Sequence, residues 1–475
     1  MSGSFQTSTR LQTQVVVSMA GGNQRVCLIG AGPSGMSFLY QNEKLKAAGK
    51  NYANVVCYEK QSNWGGLWNY TWRTGVDEHG EICHGSQYRD LWSNGPKECL
   101  EFPDYTFKDH FGKPIPSFPP REVLFDYLKG RWNKYDLRKY VHFNTTVKHV
   151  TYNKTTDDFT VLTKDLASDH DLPPEKFSHV IVATGHFSVP NTPFFEGIDT
   201  FPGRVLHSHD FRHAREFKGQ RLLIVGSSLS AEDISMQCRK MGSGEVVISY
   251  RKKTMGFKWP EGISERPLLT KVDGNTIHFK DGTTAEVDAI ILCTGYLYHF
   301  PYLPESLRLK TDLSLYPAGL YKGTLWLDDG NNKVFYLGMQ GQYYSFTMFD
   351  VQAEWTCAVI CGHKKLPDRK EMETDVANWL KRLETLTDIK SEIALQTEFV
   401  CDLAREVGSK YNFNFNALFN KWADDKLANI STYRDQVYSS VSTSEQGLLH
   451  HTPWLSAYDD SLETFINQTP NKISQ

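Results

Sequence analysis

Three glycines at fixed spacing, Gly30, Gly32 and Gly35, are the first residues in this 475-residue chain whose pattern implies chemistry. They stand in Gly30-Ala31-Gly32-Pro33-Ser34-Gly35, after the apolar run Val26-Cys27-Leu28-Ile29 and before a helix expected from Met36 to Ala48. Glycine at the first place permits a tight turn. At the second it lets a pyrophosphate approach the backbone, and at the third it lets helix and strand pack closely. The helix N-terminus then faces the phosphates. A second apolar run, Val55-Val56-Cys57-Tyr58, ends at Glu59, where a carboxylate can accept hydrogen bonds from ribose hydroxyls. Strand, turn, helix and acid in this register describe a dinucleotide site.

A second such pattern follows. The strand expected over Arg221–Val225 leads into Gly226-Ser227-Ser228-Leu229-Ser230-Ala231, with small Ser228 and Ala231 at the second and third glycine places. The next expected strand, Glu245–Tyr250, ends not in an acid but in Arg251-Lys252-Lys253. A carboxylate there would repel a 2′-phosphate, whereas a guanidinium can pair with it in bidentate fashion. The second site is therefore expected to take NADPH rather than NADH.

The duplication extends further, to His179-Val180-Ile181-Val182-Ala183-Thr184-Gly185 and Ala289-Ile290-Ile291-Leu292-Cys293-Thr294-Gly295. Both are apolar strands that end in Thr-Gly. Two copies of one plan predict two dinucleotide-binding domains, the second inserted into the first. The expected order is a disordered leader over 1–23, a first domain over 24–188, an insert over 189–304 and a return to the first domain over 305–475. Pro301 and Pro304 mark the re-entry.

Composition narrows the classes. A chain of this length is too long for one core and predicts two or three domains. Hydrophobic residues at 40% and charged residues at 23% are ordinary for a globular protein. A net charge of -3 gives no electrostatic case for nucleic acid or an anionic membrane. No run approaches the roughly 20 apolar residues that span a bilayer. The 9 cysteines are dispersed without a CxxC pair, which suggests reduced thiols in the cytoplasm and argues against a dithiol oxidoreductase. No Ser/His/Asp set, HExxH or spaced ligand group is evident. His450-His451 is read as structural, so no metal is expected.

Between the two motifs lies Phe201-Pro202-Gly203-Arg204-Val205-Leu206-His207-Ser208-His209-Asp210-Phe211. It resembles the F-x-G-x-x-x-H-x-x-x-[Y/F] fingerprint of flavin-containing monooxygenases; the related Baeyer–Villiger enzymes usually carry Trp at the last position. Trp64-Gly65-Gly66-Leu67-Trp68, Asn69-Tyr70-Thr71-Trp72-Arg73, Leu91-Trp92-Ser93-Asn94-Gly95-Pro96-Lys97-Glu98, Phe257-Lys258-Trp259-Pro260 and His450-His451-Thr452-Pro453-Trp454 are similar to the bacterial trimethylamine monooxygenase branch. The resemblance runs from Arg25 to about Leu462.

It implies an α/β fold of two Rossmann-like domains, with NADPH in the inserted one and FAD in the larger. It implies FAD contacts from Gly30, Gly32, Ser34, Gly35, Glu59, Gln61, Gly66, Leu67 and Trp68, with Val147 near the adenine through its backbone. Trp92 and Asn94 should sit where flavin and nicotinamide meet, with Asn94 the leading catalytic residue. Gly226, Ser228, Leu229, Ser230, Arg251 and Lys252 should contact NADPH, and Gln340 should lie near the flavin. The branch carries Tyr where this chain has Leu229; a phenol can hydrogen-bond the cofactor, whereas a leucine can only fill space.

The implied chemistry is reduction of FAD by NADPH, capture of O2 as a C4a-hydroperoxide, and transfer of one oxygen to a small amine or sulfide such as trimethylamine. A homodimer is also expected. Tyr343, Tyr344, Phe346 and Trp454 are candidate walls of a dry pocket. Two other functions stay open at this point. One is an NADPH oxidase or flavin reductase that releases hydrogen peroxide, and the other is a non-catalytic NADP(H)-sensing flavoprotein.

Overall fold

Two largely parallel sheets, whose central strands are buried on both faces, organise the computed structural model, which describes residues 24–341 and 343–467. The expected leader over 1–23 lies outside the described residues. The strands Arg25–Ile29, His179–Val182, Leu222–Val225 and Ala289–Leu292 are short, apolar and almost wholly buried. Such runs suit a parallel sheet covered on both sides by helices.

The larger sheet has seven strands in the order Leu320–Tyr321, Leu325–Trp326, Val334–Tyr336, His179–Val182, Arg25–Ile29, Asn54–Tyr58 and Val141–His142. Its last five are parallel, and Val334–Tyr336 brings the C-terminal part of the chain alongside His179–Val182. The smaller sheet has five parallel strands in the order Arg204–His207, Ala289–Leu292, Leu222–Val225, Val246–Tyr250 and Ile263–Pro267. The two connections between the sheets run side by side, with Val189–Pro190 paired antiparallel to Tyr296–Leu297. The chain is thus an α/β protein with two Rossmann-like domains.

The first helix spans Pro33–Ala47 and starts three residues before its expected Met36. Proline suits the opening turn, where its fixed φ is already helical and its missing N–H has no helical partner to lose. Three further helices, Phe346–Ile360, Ile389–Glu406 and Asn416–Ala428, cover the larger sheet's side. Phe346–Ile360 lies against Pro33–Ala47, where Cys357 Sγ approaches Phe38 O at 3.8 Å. Among the described residues no helix is long and apolar enough to cross a membrane.

Candidate functional site

The first glycine loop is shaped by what it touches. Gly30 has φ +102°, and a Cβ there would lie 2.7 Å from the Ala183 carbonyl oxygen. Gly32 instead faces the second glycine loop. A Cβ on Gly66 would come within 3.1 Å of Gly32 Cα, so the two bare backbones pack directly against each other. Gly65 N–H donates to Ala31 O at 2.8 Å and holds the loops together. Gly35 packs against the Gly30 carbonyl with no room for a side chain.

Glu59 is brought to this loop by its strand. Its Oε2 accepts from Ala31 N–H at 2.7 Å and its Oε1 from Gln61 N–H at 2.8 Å. Burial pushes its carboxyl above the ordinary range, and those two backbone donors pull it part of the way back. Ser34 is buried at the helix start, and a side chain on Gly338 would strike its Oγ. Gln61, Leu67 and Trp68 are half-buried along the same edge; Trp68 meets Phe346 edge-on at 5.4 Å. Val147 sits where the strand Thr145–Asn153 shifts register, two residues beyond Thr145, whose N–H donates to Glu59 O at 2.9 Å. The structure therefore places Gly30, Gly32, Ser34, Gly35, Glu59, Gln61, Gly66, Leu67, Trp68 and Val147 on neighbouring segments near the end of the strand Arg25–Ile29.

The second loop repeats the first bond for bond. Gly30 N–H donates to Tyr58 O at 2.9 Å and Gly226 N–H to Ser249 O at 2.9 Å. Ala183 N–H donates to Ile29 O at 2.9 Å and Cys293 N–H to Val225 O at 2.8 Å. Gly226 has φ +134°, and a Cβ there would overlap the Cys293 carbonyl as one on Gly30 would meet Ala183. Ser228 caps the helix Leu229–Lys240 by its backbone, with Glu232 N–H donating to Ser228 O at 3.0 Å. Ser228, Leu229 and Ser230 are exposed at the helix mouth. Arg251 and Lys252 are exposed just past the neighbouring strand Val246–Tyr250.

The remaining three predicted residues are more tightly held. Trp92 is buried edge-on to His450 at 5.1 Å and to Phe465 at 5.8 Å. Asn94 is half-buried. Its backbone oxygen accepts from Trp422 Nε1–H at 2.7 Å, while its carboxamide takes no hydrogen bond among the described residues. Gln340 is fully buried and its amide is spent internally: Nε2–H donates to Gly323 O at 2.8 Å and Oε1 accepts from Gln352 Nε2–H at 2.9 Å. A ligand beside Gln340 would therefore meet its backbone or its flank.

The fingerprint segment packs beside the two connections between the sheets. Phe211 is fully buried against Tyr88 and Phe217, and His207 meets Tyr296 edge-on at 5.2 Å. Burial lowers His207 to about 4, with His209 adding to the shift. Of the aromatic residues proposed as walls, Tyr344, Phe346 and Trp454 are core side chains, and Tyr344 bonds Thr397 Oγ1 at 2.8 Å. Among the described residues no group of three or more His, Cys, Asp or Glu is arranged for a metal.

Sequence reasoning missed the Ala183 and Cys293 carbonyls, whose place follows only from strand pairing. It also missed Trp422 and Arg434, which reach Asn94 and Ser93 from more than 300 positions away. No local motif marks either one.

The chain is similar to known proteins over most of its length. The family model described as Flavin-binding monooxygenase-like matches residues 23–259 and 261–432. A trimethylamine monooxygenase of Methylocella silvestris is 54% identical over 447 residues, covering 94% of this chain and 98% of that one. One from Pelagibacter ubique is 48% identical, covering 94% and 100%. The crystal structure of Tmm from Pelagibacter sp. strain HTCC7211 superposes with a TM-score of 0.90 at 48% identity, covering 93% of this chain and 100% of that one.

Proposed function

Because the chain belongs to the Flavin-binding monooxygenase-like family, we propose that it uses FAD, NADPH and O2 to place one oxygen on a small nitrogen or sulfur nucleophile, with trimethylamine as the leading substrate. The observation that carries the reading is the pair of bond-for-bond equivalent glycine loops, of which one is followed by Glu59 and the other by Arg251 and Lys252.

The first loop fits FAD. Gly32 and Gly66 carry no side chain to obstruct a pyrophosphate approaching the loop backbone, and Glu59 is placed to exchange its Ala31 bond for ribose hydroxyls. Ser34 and the backbone beside Gln340 border the same loop. The second fits NADPH: Gly226 and Ser228 offer the helix N-terminus, while Arg251 and Lys252 supply positive charge for a 2′-phosphate. On this assignment residues 24–188 and 305–467 form the FAD unit and 189–304 the NADPH unit.

When bound, the flavin supplies the redox and oxygen chemistry, and the protein supplies orientation and shelter. Asn94 is the residue assigned to the junction. Its unengaged carboxamide has both donors and an acceptor to offer to cofactor and oxygen. Trp92 closes the same side with an apolar face that keeps water out. Leu229, exposed at the NADPH helix mouth, offers only bulk where a phenol would offer a hydrogen bond.

A cytoplasmic homodimer completes the proposal. Its location is supported by the cysteines, all nine of which are free thiols, eight of them buried. The test is direct. Purified protein supplied with FAD, NADPH, air and trimethylamine should yield the N-oxide by NMR, and dimethyl sulfide should yield the sulfoxide. NADPH oxidation that leaves both compounds unchanged would reject the assignment.

A further inference from the structure

Two adjacent acids near the start of the helix Leu229–Lys240, Glu232 and Asp233, are buried. Their counterparts in the other glycine motif, by the same spacing, are Met36 and Ser37. Burying two carboxylates is costly unless each meets a matched cation, and each does. Lys426 Nζ lies 2.6 Å from Glu232 Oε2, and Arg434 pairs with Asp233. Both cations come from the C-terminal part of the chain, so the pairs bridge the helix of the smaller sheet to the larger unit.

Arg434 does more than pair. Its Nε–H donates to Ser93 O at 3.1 Å while its terminal nitrogen holds Asp233. Trp454 covers its face at 4.4 Å. The next carbonyl along, that of Asn94, is held by Trp422, whose ring carries Lys426 at 4.5 Å. One side chain therefore touches both the Ser93–Asn94 segment and the N-terminal half of the helix assigned to NADPH. A planar guanidinium can make both contacts at fixed angles; a single ammonium cannot reach both.

We propose that Arg434 is a positioning residue that ties the seat of the Leu229–Lys240 helix to the Ser93–Asn94 segment, so that Asn94 presents its carboxamide correctly only when the two units are docked. The inference rests on the role given to Asn94 above. It makes oxygen transfer, rather than cofactor binding, the step sensitive to Arg434.

Arg434→Lys is the informative variant. It keeps a buried cation beside Asp233 and gives up the simultaneous hold on Ser93. In the full chain with FAD bound, flavin content and the KM for NADPH should match the parent, and the melting temperature should fall by only a few degrees as the Ser93 carbonyl loses its donor. The yield of N-oxide per NADPH should fall about fivefold or more, with hydrogen peroxide making up the difference. Hydrogen–deuterium exchange should rise in peptides covering residues 89–100 and 229–240 together, with or without substrate. If both yield and exchange are unchanged, the link is absent. If the variant loses flavin or fold, Arg434 is a structural residue and the proposal falls. If the parent protein makes no N-oxide at all, the functional assignment fails, and the exchange data still decide whether the link exists.

Discussion

Adding one methyl group to each glycine loop separates the two cofactor sites. Gly30→Ala places a Cβ 2.7 Å from the Ala183 carbonyl at φ +102°, and Gly226→Ala places one still closer to the Cys293 carbonyl at φ +134°. Neither φ suits an L side chain, which costs about 1–3 kcal/mol. Neither carbonyl can retreat easily, because each belongs to a residue whose N–H is bonded into the sheet; overpacking of that kind costs about 1–3 kcal/mol more. A loop that must rebuild before binding thus loses about 2–6 kcal/mol, or roughly 30- to 20,000-fold in affinity. Gly30→Ala should purify with little flavin, read as visible absorbance per mole of protein, and should still bind NADP+ by calorimetry. Gly226→Ala should stay yellow and resist anaerobic bleaching by NADPH. If Gly226→Ala loses its flavin, or Gly30→Ala keeps it and loses NADP+ binding, the assignment of the two loops is wrong.

Asn94→Ala should retain FAD and NADPH-driven bleaching but lose about 100-fold in the rate of N-oxide formation, the scale of one lost donor to developing charge; product NMR checks it. Arg251→Ala should raise the KM for NADPH about tenfold or more and leave that for NADH unchanged, the cost of one charge-assisted contact. Lys240 lies among Trp454, Trp92 and Tyr458, at 4.5, 5.6 and 5.7 Å, and burial followed by the charge of Arg434 lowers it from 10.5 to about 8. The folded chain therefore releases a proton that the unfolded chain keeps. The penalty is full below about pH 8 and fades as pH climbs from 8 to 10.5. That shift corresponds to at most about 3 kcal/mol, and the ring faces offset about 1 kcal/mol of it. Lys240→Met should raise stability to urea at pH 7 by about 2 kcal/mol, with the gain shrinking toward pH 10.

Much of the architecture was legible because dinucleotide sites use local signals. Strand, glycine turn and helix are contiguous, so Gly30 and Gly226 announced their loops, and the strand-end residues Glu59 and Arg251 followed by register. The strand bounds came out within one residue at Arg25, Leu222 and Val246 because apolar runs that short must be buried on both faces. The helix start at Pro33 was misjudged because the glycine loop and the first helical turn overlap. What escaped was everything built across distance. The resemblance implied Gln340 as a flavin neighbour; the sequence carried no sign that its amide is engaged by Gly323 and Gln352. Tyr344 and Phe346, candidate walls by their aromaticity, are fully buried, and their packing partners come from distant segments such as Thr397 and Phe102. Arg434 carries no motif at all, because its meaning lies in two partners, Ser93 and Asp233, that only the docked units bring together.

The account stands most directly on the fate of the electrons from NADPH. Purified protein saturated with FAD should be given NADPH, air and trimethylamine while NADPH loss, N-oxide and hydrogen peroxide are followed in the same vessel. About one N-oxide should form per NADPH consumed, with little peroxide. Peroxide equal to the NADPH lost, with trimethylamine untouched, would contradict it.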